Sequence, residues 1–230
     1  MLQCKEIIKI FKGPDPKIPI APLQGLELEL KDNEIISIFG PSGSGKSTLL
    51  NILYGVYSVD SGIIMFNGEI IGNINKKIDP KSPNTLFSYF IQDFRKILFP
   101  KITVKENLHL KCDILKINSN LINEKINKVL TQVNLIGKIN HKVENLSIGE
   151  QQRLALALTI INEPALLLVD EPTSNLDSVT ANKIINHLIS IVRENPKISC
   201  IITTHDMKIA NLTDRSVSLE KGRLVPMNQK

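Results

Sequence analysis

The chain has 230 residues, of which 42% are hydrophobic and 22% charged, so it is long enough for one large folded domain and too apolar to be disordered. No uncharged apolar run approaches the ~18 residues of a membrane-spanning helix, and no secretory signal opens the sequence, so we expect a cytosolic protein. The net charge is +5, but only five of the 28 basic residues are Arg and Trp is absent, so we expect no nucleic-acid binding.

Apolar strands and periodic helical segments alternate along the chain. The apolar runs typical of buried parallel strands are residues 35–39, 165–169 and 199–204. The segments with helical periodicity are residues 46–53, 120–133, 149–161 and 179–193. Residues from about 93 to 161 look mainly helical and lie between strands, as an inserted helical lobe would. The alternation predicts an α/β fold with a mainly parallel sheet.

A glycine-rich loop follows the strand at 35–39. Residues 40–47 read Gly-Pro-Ser-Gly-Ser-Gly-Lys-Ser and match the P-loop pattern G-x-x-x-x-G-K-[ST]. Backbone N–H groups in such a loop surround phosphate oxygens, Lys46 reaches the β- and γ-phosphates, and Ser47 ligates Mg²⁺. A chance Gly/Ser turn is the alternative, which the flanking strand and helix disfavour. The predicted nucleotide-binding residues here are Gly40, Pro41, Ser42, Gly43, Ser44, Gly45, Lys46, Ser47 and Thr48.

Two acidic residues end the apolar run at 165–169. Asp170 is predicted to hold the hydration shell of Mg²⁺, as the second acid of a nucleoside triphosphatase does. Glu171 is one residue closer to the γ-phosphate and suits the polarisation of an attacking water. On its own, an apolar strand that ends in Asp-Glu could be a solvated strand end or a helix cap. The P-loop in the same chain favours the catalytic interpretation.

Residues 146–153 read Leu-Ser-Ile-Gly-Glu-Gln-Gln-Arg, and together with the P-loop and the acidic pair they resemble the signature of the ATP-binding-cassette (ABC) ATPases. Without that context, Ser147 would be read as a helix N-cap. The resemblance implies that Ser147, Gly149 and Glu150 act in trans, at the γ-phosphate held by a second copy of the chain. Ile148 departs from the family pattern, which has a glycine there. A β-branched residue excludes φ > 0, so hydrolysis survives only if the backbone at 148 is helical or extended.

The resemblance extends over the whole chain and implies further roles. Gln92 and His205 are expected to be catalytic with Glu171, and Gln92 also to contact Mg²⁺ with Ser47 and Asp170. Phe11 stands where the family places an aromatic ring on adenine, and Ser174 and Asp177 belong to the loop that crosses the dimer interface. The implied fold is a single domain over 1–230: a P-loop core with a mainly parallel sheet, an N-terminal antiparallel β subdomain and a helical signature lobe at about 93–161.

Within the family, the motifs look most like the branch of the lipoprotein-releasing and macrolide-exporting ATPases, near a cell-division ATPase. That branch implies an ATP-hydrolysing homodimer that closes around two ATP and Mg²⁺ and drives integral-membrane permease subunits. The protein would then be cytoplasmic and peripheral on the inner face of the cell membrane, with residues 94–105 as the contact. The alternatives are a non-transport ABC ATPase acting on soluble partners, a cell-division ATPase, and a nucleotide-binding scaffold in which Ile148 has abolished hydrolysis.

Overall fold

A computed structural model describes residues 2–15, 18–79, 87–174 and 178–227. The strands are β1 (Leu2–Phe11), β2 (Ile20–Leu30), β3 (Ile35–Phe39), β4 (Ser61–Phe66), β5 (Glu69–Gly72), β6 (Phe87–Phe90), β7 (Leu166–Asp170), β8 (Ser199–Thr204), β9 (Arg215–Glu220) and β10 (Arg223–Pro226). The α-helices are α1 (Lys46–Leu53), α2 (Val104–Ile114), α3 (Ser119–Gln132), α4 (Ile148–Ile160), α5 (Ser178–Glu194) and α6 (Met207–Ala210). The predicted strands and helices are therefore confirmed, with ends that differ by no more than one residue.

The central sheet has six strands in the order β10-β9-β3-β8-β7-β6. All neighbouring strands are parallel except β9 and β10. Every residue of β7 and β8 is buried, because layers cover both faces of the sheet. The register pairs Phe39 with Thr204 and Asp170 with Thr203, so the carboxyl ends of β3, β7 and β8 lie at one edge. In open α/β sheets this edge is where ligands bind.

A second, four-stranded antiparallel sheet has the order β2-β1-β4-β5. Its apolar side chains form one core cluster with α1 and one face of the central sheet. Leu26 and Ile64 contribute to this cluster from the antiparallel sheet, Leu49 from α1 and Ile38 from β3, and all are at most 1% exposed. The predicted N-terminal antiparallel β subdomain is thus confirmed, and its packing holds β1 beside the P-loop.

The regular elements between β6 and β7 are all helical. They are α2, α3, α4 and three 3-10 helices at Phe94–Ile97, Ile136–Lys138 and Val143–Asn145. Leu108, Leu130 and Leu154 form a second core cluster with the other face of the central sheet and with α5. These elements coincide with the helical insertion predicted at about 93–161. No helix in the described ranges is both long and apolar enough to cross a membrane. That residues 1–230 form a single domain stays a prediction.

Candidate functional site

The loop at 40–47 closes around the Lys46 side chain. Lys46 Nζ donates hydrogen bonds to the carbonyl oxygens of Gly40 (2.7 Å) and Pro41 (3.0 Å), and the side chain is buried. Gly45 has φ +106°, and a Cβ atom there would lie 2.7 Å from the Pro22 carbonyl oxygen. Only glycine fits at this point, where the loop enters α1. The loop thus brings an ammonium group and a helix N-terminus together, an arrangement suited to phosphate.

Glu171 follows the last residue of β7 with a left-handed backbone, at φ 46°. Its N–H donates to the Thr203 carbonyl oxygen at 3.1 Å, which ties the turn to β8. Glu171 Oε1 lies 3.2 Å from Lys46 Nζ, and Glu171 Oε2 lies 2.7 Å from His205 Nδ1. The backbone conformation is sparsely populated for a non-glycine residue and aims the carboxylate at the Lys46 ammonium group and the His205 ring. Lys46, Glu171 and His205 therefore form a continuous chain of polar contacts.

An open cavity of about 640 Å³ lies beside these three residues. Its size is within the range of small-molecule sites. The lining residues are Phe11, Ile20, Pro22, Ser42, Gly43, Gly45, Lys46, Ser47, Thr48, Gln92, Glu171 and His205. Most of the residues predicted for nucleotide binding and catalysis thus meet in one place, although they come from five separate parts of the sequence. Gly40, Pro41 and Ser44 belong to the loop but do not line the cavity. Ile20 and Pro22 line it and were not predicted.

Phe11 is the last residue of β1 and lies at the wall of the cavity. Its ring contacts Tyr57 edge-on, with 5.3 Å between the ring centroids, and Lys9 Nζ lies 5.3 Å from the Phe11 centroid. The partly buried ring lines the cavity, which is consistent with stacking on a base. The role of Phe11 toward adenine stays a prediction.

Asp170 lies behind the cavity and does not line it. The residue is 4% exposed, and its two carboxylate oxygens accept hydrogen bonds from different strands. Thr203 Oγ1 donates to Oδ1 at 2.6 Å, and Tyr89 Oη donates to Oδ2 at 3.0 Å. Burial and the Asp170 carboxylate raise the pKa of Tyr89, so the hydroxyl keeps the proton that it donates. The sequence prediction missed Tyr89 and Thr203. The pairing of β7 with β6 and β8, which no local sequence pattern contains, would have identified both residues.

The predicted metal ligands are Ser47, Gln92 and Asp170, which supply a hydroxyl, an amide oxygen and a carboxylate. These are the hard oxygen donors that Mg²⁺ prefers. Ser47 and Gln92 line the cavity, and Asp170 keeps free lone pairs because each of its oxygens accepts one hydrogen bond. The described residues contain no cluster of three or more His, Cys, Asp or Glu side chains that could hold a metal by itself. This donor set fits Mg²⁺ held jointly with water and phosphate oxygens.

The predicted signature begins α4. Ser147 is the N-cap, and its Oγ accepts from the Glu150 N–H at 3.3 Å while Glu150 Oε2 accepts from the Ser147 N–H at 2.8 Å. The Ser147 N–H, and after it the Ser147 hydroxyl, donate to the Glu150 carboxylate and lower the pKa of Glu150. Ile148 is 57% exposed and is the first residue of the helix, so its β-branched side chain meets no conformational conflict. None of Ser147, Gly149 and Glu150 lines the cavity of its own chain.

The predicted interface loop is described in part. The Ser174 N–H donates to the Glu171 carbonyl oxygen at 3.1 Å, and Ser174 Oγ is buried with no hydrogen-bond partner in the described part of the chain. Asp177 lies outside the described residues. The loop therefore starts directly from the turn that carries the Glu171 carboxylate.

A family model described as "ABC transporter" matches residues 23–174, a range that contains the P-loop, the signature and the acidic pair. The chain belongs to the ABC transporter family. This ABC protein is 34% identical over 226 residues to the "Lipoprotein-releasing system ATP-binding protein LolD" of Pseudomonas fluorescens, with 98% of the chain and 97% of the relative covered. It is 36% identical over 201 residues to the "Spermidine/putrescine import ATP-binding protein PotA" of Acetivibrio thermocellus, with 87% of the chain and 54% of the relative covered.

The ABC fold is also found in solved structures. A dimeric post-hydrolysis state of the ATP-binding cassette MJ0796, bound to ADP and Pi, matches the whole chain with a TM-score of 0.80 at 29% identity, over 100% of both chains. The predicted ABC fold, ATP binding and ATPase activity are thereby confirmed. The protein is an ATP-binding, ATP-hydrolysing subunit of the transporter class. The non-transport and cell-division alternatives are not favoured.

Proposed function

We propose that the chain hydrolyses ATP in a homodimer and that this drives a membrane permease of the lipoprotein-releasing kind. The observation that supports hydrolysis most directly is the Glu171 carboxylate, which lies 3.2 Å from Lys46 Nζ and 2.7 Å from His205 Nδ1 beside the cavity. A carboxylate held between the Lys46 ammonium group and the His205 ring at the cavity is well placed to polarise a water next to a bound phosphate. The surrounding loop and helix N-terminus stabilise the negative charge that develops during transfer.

Phosphate binding is expected to change the Lys46 contacts. An ammonium group has three N–H donors, and Lys46 contacts three acceptors: the carbonyl oxygens of Gly40 and Pro41 and the Glu171 carboxylate. A phosphate oxygen that binds Lys46 replaces one of these acceptors. The two carbonyl oxygens belong to the P-loop itself, so the Glu171 contact is the one that breaks. Glu171 is then available to accept a proton from water, while His205 holds its other oxygen and faces the γ-phosphate.

Magnesium binding is assigned to Ser47, Gln92 and Asp170. The bound ion supplies neutralisation of the phosphate charge and orientation of the β- and γ-phosphates. Ser47 and Gln92 line the cavity, whereas Asp170 is buried and would act on the ion through water. Phe11, which also lines the cavity, would offer its ring to the adenine.

The signature is assigned to the ATP site of the partner copy. Gly149 has room for a Cβ within its own chain, because the nearest atom, Arg153 Nη1, would be 3.9 Å away. Glycine is therefore not required by this chain, which fits the close approach of a ligand held by another copy. The Ser147 hydroxyl donates to Glu150 Oε2 at 2.9 Å, so it must turn away from Glu150 to donate to a phosphate. Ser174 and Asp177 would then meet the partner at the same interface.

Docking on a permease is assigned to an apolar groove beside α2. The groove has a volume of about 280 Å³ and is called the α2 groove below. Its lining residues are Tyr54, Ser88, Tyr89, Ile91, Ile97, Phe99, Asn107, Leu110, Lys111, Ile114, Leu158 and Thr159. Phe99 is 56% exposed and Ile114 is 62% exposed, which is unusual for large apolar side chains on one small surface. We assign the α2 groove to a short helix with an apolar face on the cytoplasmic side of a permease. Two of its lining residues, Ile97 and Phe99, lie within the contact region predicted at 94–105.

The test of this assignment is a pull-down from detergent-solubilised membranes with tagged Glu171→Gln protein, with and without ATP. We expect ATP-dependent recovery of a multi-span membrane protein, and loss of that protein when Ile114→Glu is added. Leu121→Glu is the matched control, because Leu121 is an exposed apolar residue of α3 that does not line the α2 groove. Thermal unfolding checks that both variants are folded. Recovery of soluble partners alone, or equal loss with both substitutions, would contradict docking through this groove.

The identity of the recovered permease separates two cargo classes. A permease with a large extracytoplasmic domain supports the lipoprotein-releasing class, in line with the full-length similarity to LolD. A permease without such a domain supports solute import, the second candidate, in line with the similarity to PotA. In both cases the ATPase is a peripheral subunit on the cytoplasmic face of the membrane.

A further inference from the structure

We propose that Tyr89 is a positioning residue that links the α2 groove to the Asp170 carboxylate. Its hydroxyl donates to Asp170 Oδ2 at 3.0 Å, and the same residue forms part of the wall of the groove. One side chain thus contacts both the surface assigned to the permease and the acid assigned to the metal. This inference rests on the proposed function of both places, although its test requires no permease.

Strand register explains why Tyr89 reaches Asp170. Tyr89 of β6 pairs with Leu168 of β7, and Asp170 lies two residues beyond Leu168 on the same face of the sheet. The ring therefore extends along the strands toward the carboxyl edge. Thr203 of β8, on the other side of β7, donates to the remaining oxygen Oδ1 at 2.6 Å. Two donors from two different strands hold the carboxylate in one rotational setting.

The other side of Tyr89 belongs to the α2 groove. Its ring contacts Tyr54 edge-on, with 5.4 Å between centroids and 60° between the ring planes, and both tyrosines line the groove. Two residues further along the chain, Ile91 also lines the groove, and Gln92 lines the ATP cavity. A partner that fills the groove must therefore press on a ring whose hydroxyl sets the orientation of Asp170.

The competing explanation is that Tyr89 only packs in the groove. Removal of its hydroxyl distinguishes that role from the positioning of Asp170. Tyr89→Phe keeps the ring and its contacts in the groove but removes the hydrogen bond to Asp170. Tyr54→Phe is the matched control: it removes a hydroxyl from the same groove, and Tyr54 is not among the hydrogen-bond partners of Asp170 in the described residues. A packing role would make the two variants behave alike.

The test measures ADP binding to the purified full chain, first in EDTA and then as a titration with Mg²⁺. In EDTA, we expect Tyr89→Phe to bind ADP with the same affinity as the unmodified chain. We expect Mg²⁺ to strengthen ADP binding, and Tyr89→Phe to need about tenfold more Mg²⁺ for the same gain in affinity, since loss of a hydrogen bond to a metal-binding carboxylate typically weakens metal binding by that factor. Tyr54→Phe should give the titration of the unmodified chain. A Tyr89→Phe titration equal to that of the unmodified chain, or an equal shift in both variants, would overturn the proposal.

A second measurement tests the link to the groove. Leu110→Trp fills the α2 groove from α2, and it supplies a fluorescent reporter in a chain that has no other Trp. We expect Leu110→Trp to shift the Mg²⁺ titration at least threefold when Tyr89 is present and to have no effect in combination with Tyr89→Phe, as coupled sites do. Equal shifts in both backgrounds, or none, would overturn the link. Failure of ADP binding itself would instead count against the proposed function.

Discussion

At the residue scale, three side chains at the cavity form one chain of polar contacts. Lys46 and Glu171 are buried and His205 is exposed, and Glu171 contacts both of the others. The strained backbone of Glu171, held by the Thr203 carbonyl oxygen, is what brings its carboxylate to this position.

The residue-scale prediction concerns Glu171→Gln. An amide has nearly the shape of a carboxylate but cannot accept a proton, so we expect ATP hydrolysis to fall by about 10²–10⁴-fold while ATP binding is retained. Glu163→Gln is the matched control, because Glu163 also has a left-handed backbone (φ 51°) but pairs with Lys125 and Lys128 away from the cavity. Phosphate release by the purified protein is the measurement. Wild-type turnover in Glu171→Gln would remove Glu171 from the mechanism.

At the element scale, two helices begin with the same chemical device. Ser147 and Glu150 form a capping box at α4, and Thr103 and Glu106 form one at α2. Each cap satisfies N–H groups that a helix leaves free at its start. Only the capping box at α4 belongs to the signature. A comparison of the two boxes therefore distinguishes the stabilising role of a helix cap from a role in catalysis.

We therefore compare Ser147→Ala with Thr103→Ala. Each substitution should reduce the free energy of unfolding by about 1 kcal/mol, the usual value for loss of an N-cap. Only Ser147→Ala should also lower the ATPase rate of the purified protein, by at least about tenfold, because a hydroxyl donor to the transferred phosphate is lost. Urea unfolding and phosphate release measure the two effects. An equal loss of ATPase rate in both variants would mean that Ser147 acts only as a cap.

The elements were predicted from sequence where the pattern is local. The strand at 35–39 has a continuous apolar run before a glycine-rich loop, and β3 has the same ends. The run at 165–169 was placed one residue early, because Asp170 looks like a polar strand end but is paired with Thr203 inside the sheet. The order of the strands and the Tyr89–Asp170 hydrogen bond depend on registers between distant segments, which no local pattern contains. The antiparallel sheet was predicted only through the family resemblance.

At the scale of the whole molecule, one chain does not bring all the predicted groups together. The P-loop, Glu171, Gln92 and His205 meet at the cavity, while Ser147, Gly149 and Glu150 lie at the start of α4 and do not line it. A twofold assembly resolves this separation, because each copy can offer its signature to the other's P-loop. The whole-chain similarity to a dimeric ATP-binding cassette supports that arrangement.

The most direct test of this central claim is the ATPase rate of mixed variants. Lys46→Ala loses the P-loop ammonium and Ser147→Ala loses the signature hydroxyl, so each variant alone should keep at most about a tenth of the wild-type rate. A dimer of one copy of each variant has one complete ATP site, formed by the intact P-loop of one copy and the intact signature of the other, and one defective site. Random pairing of an equal mixture makes half of the dimers mixed. We therefore predict that the mixture recovers up to roughly a quarter of the wild-type rate. A mixture that stays as inactive as its two components, although mixed dimers form, would contradict the account.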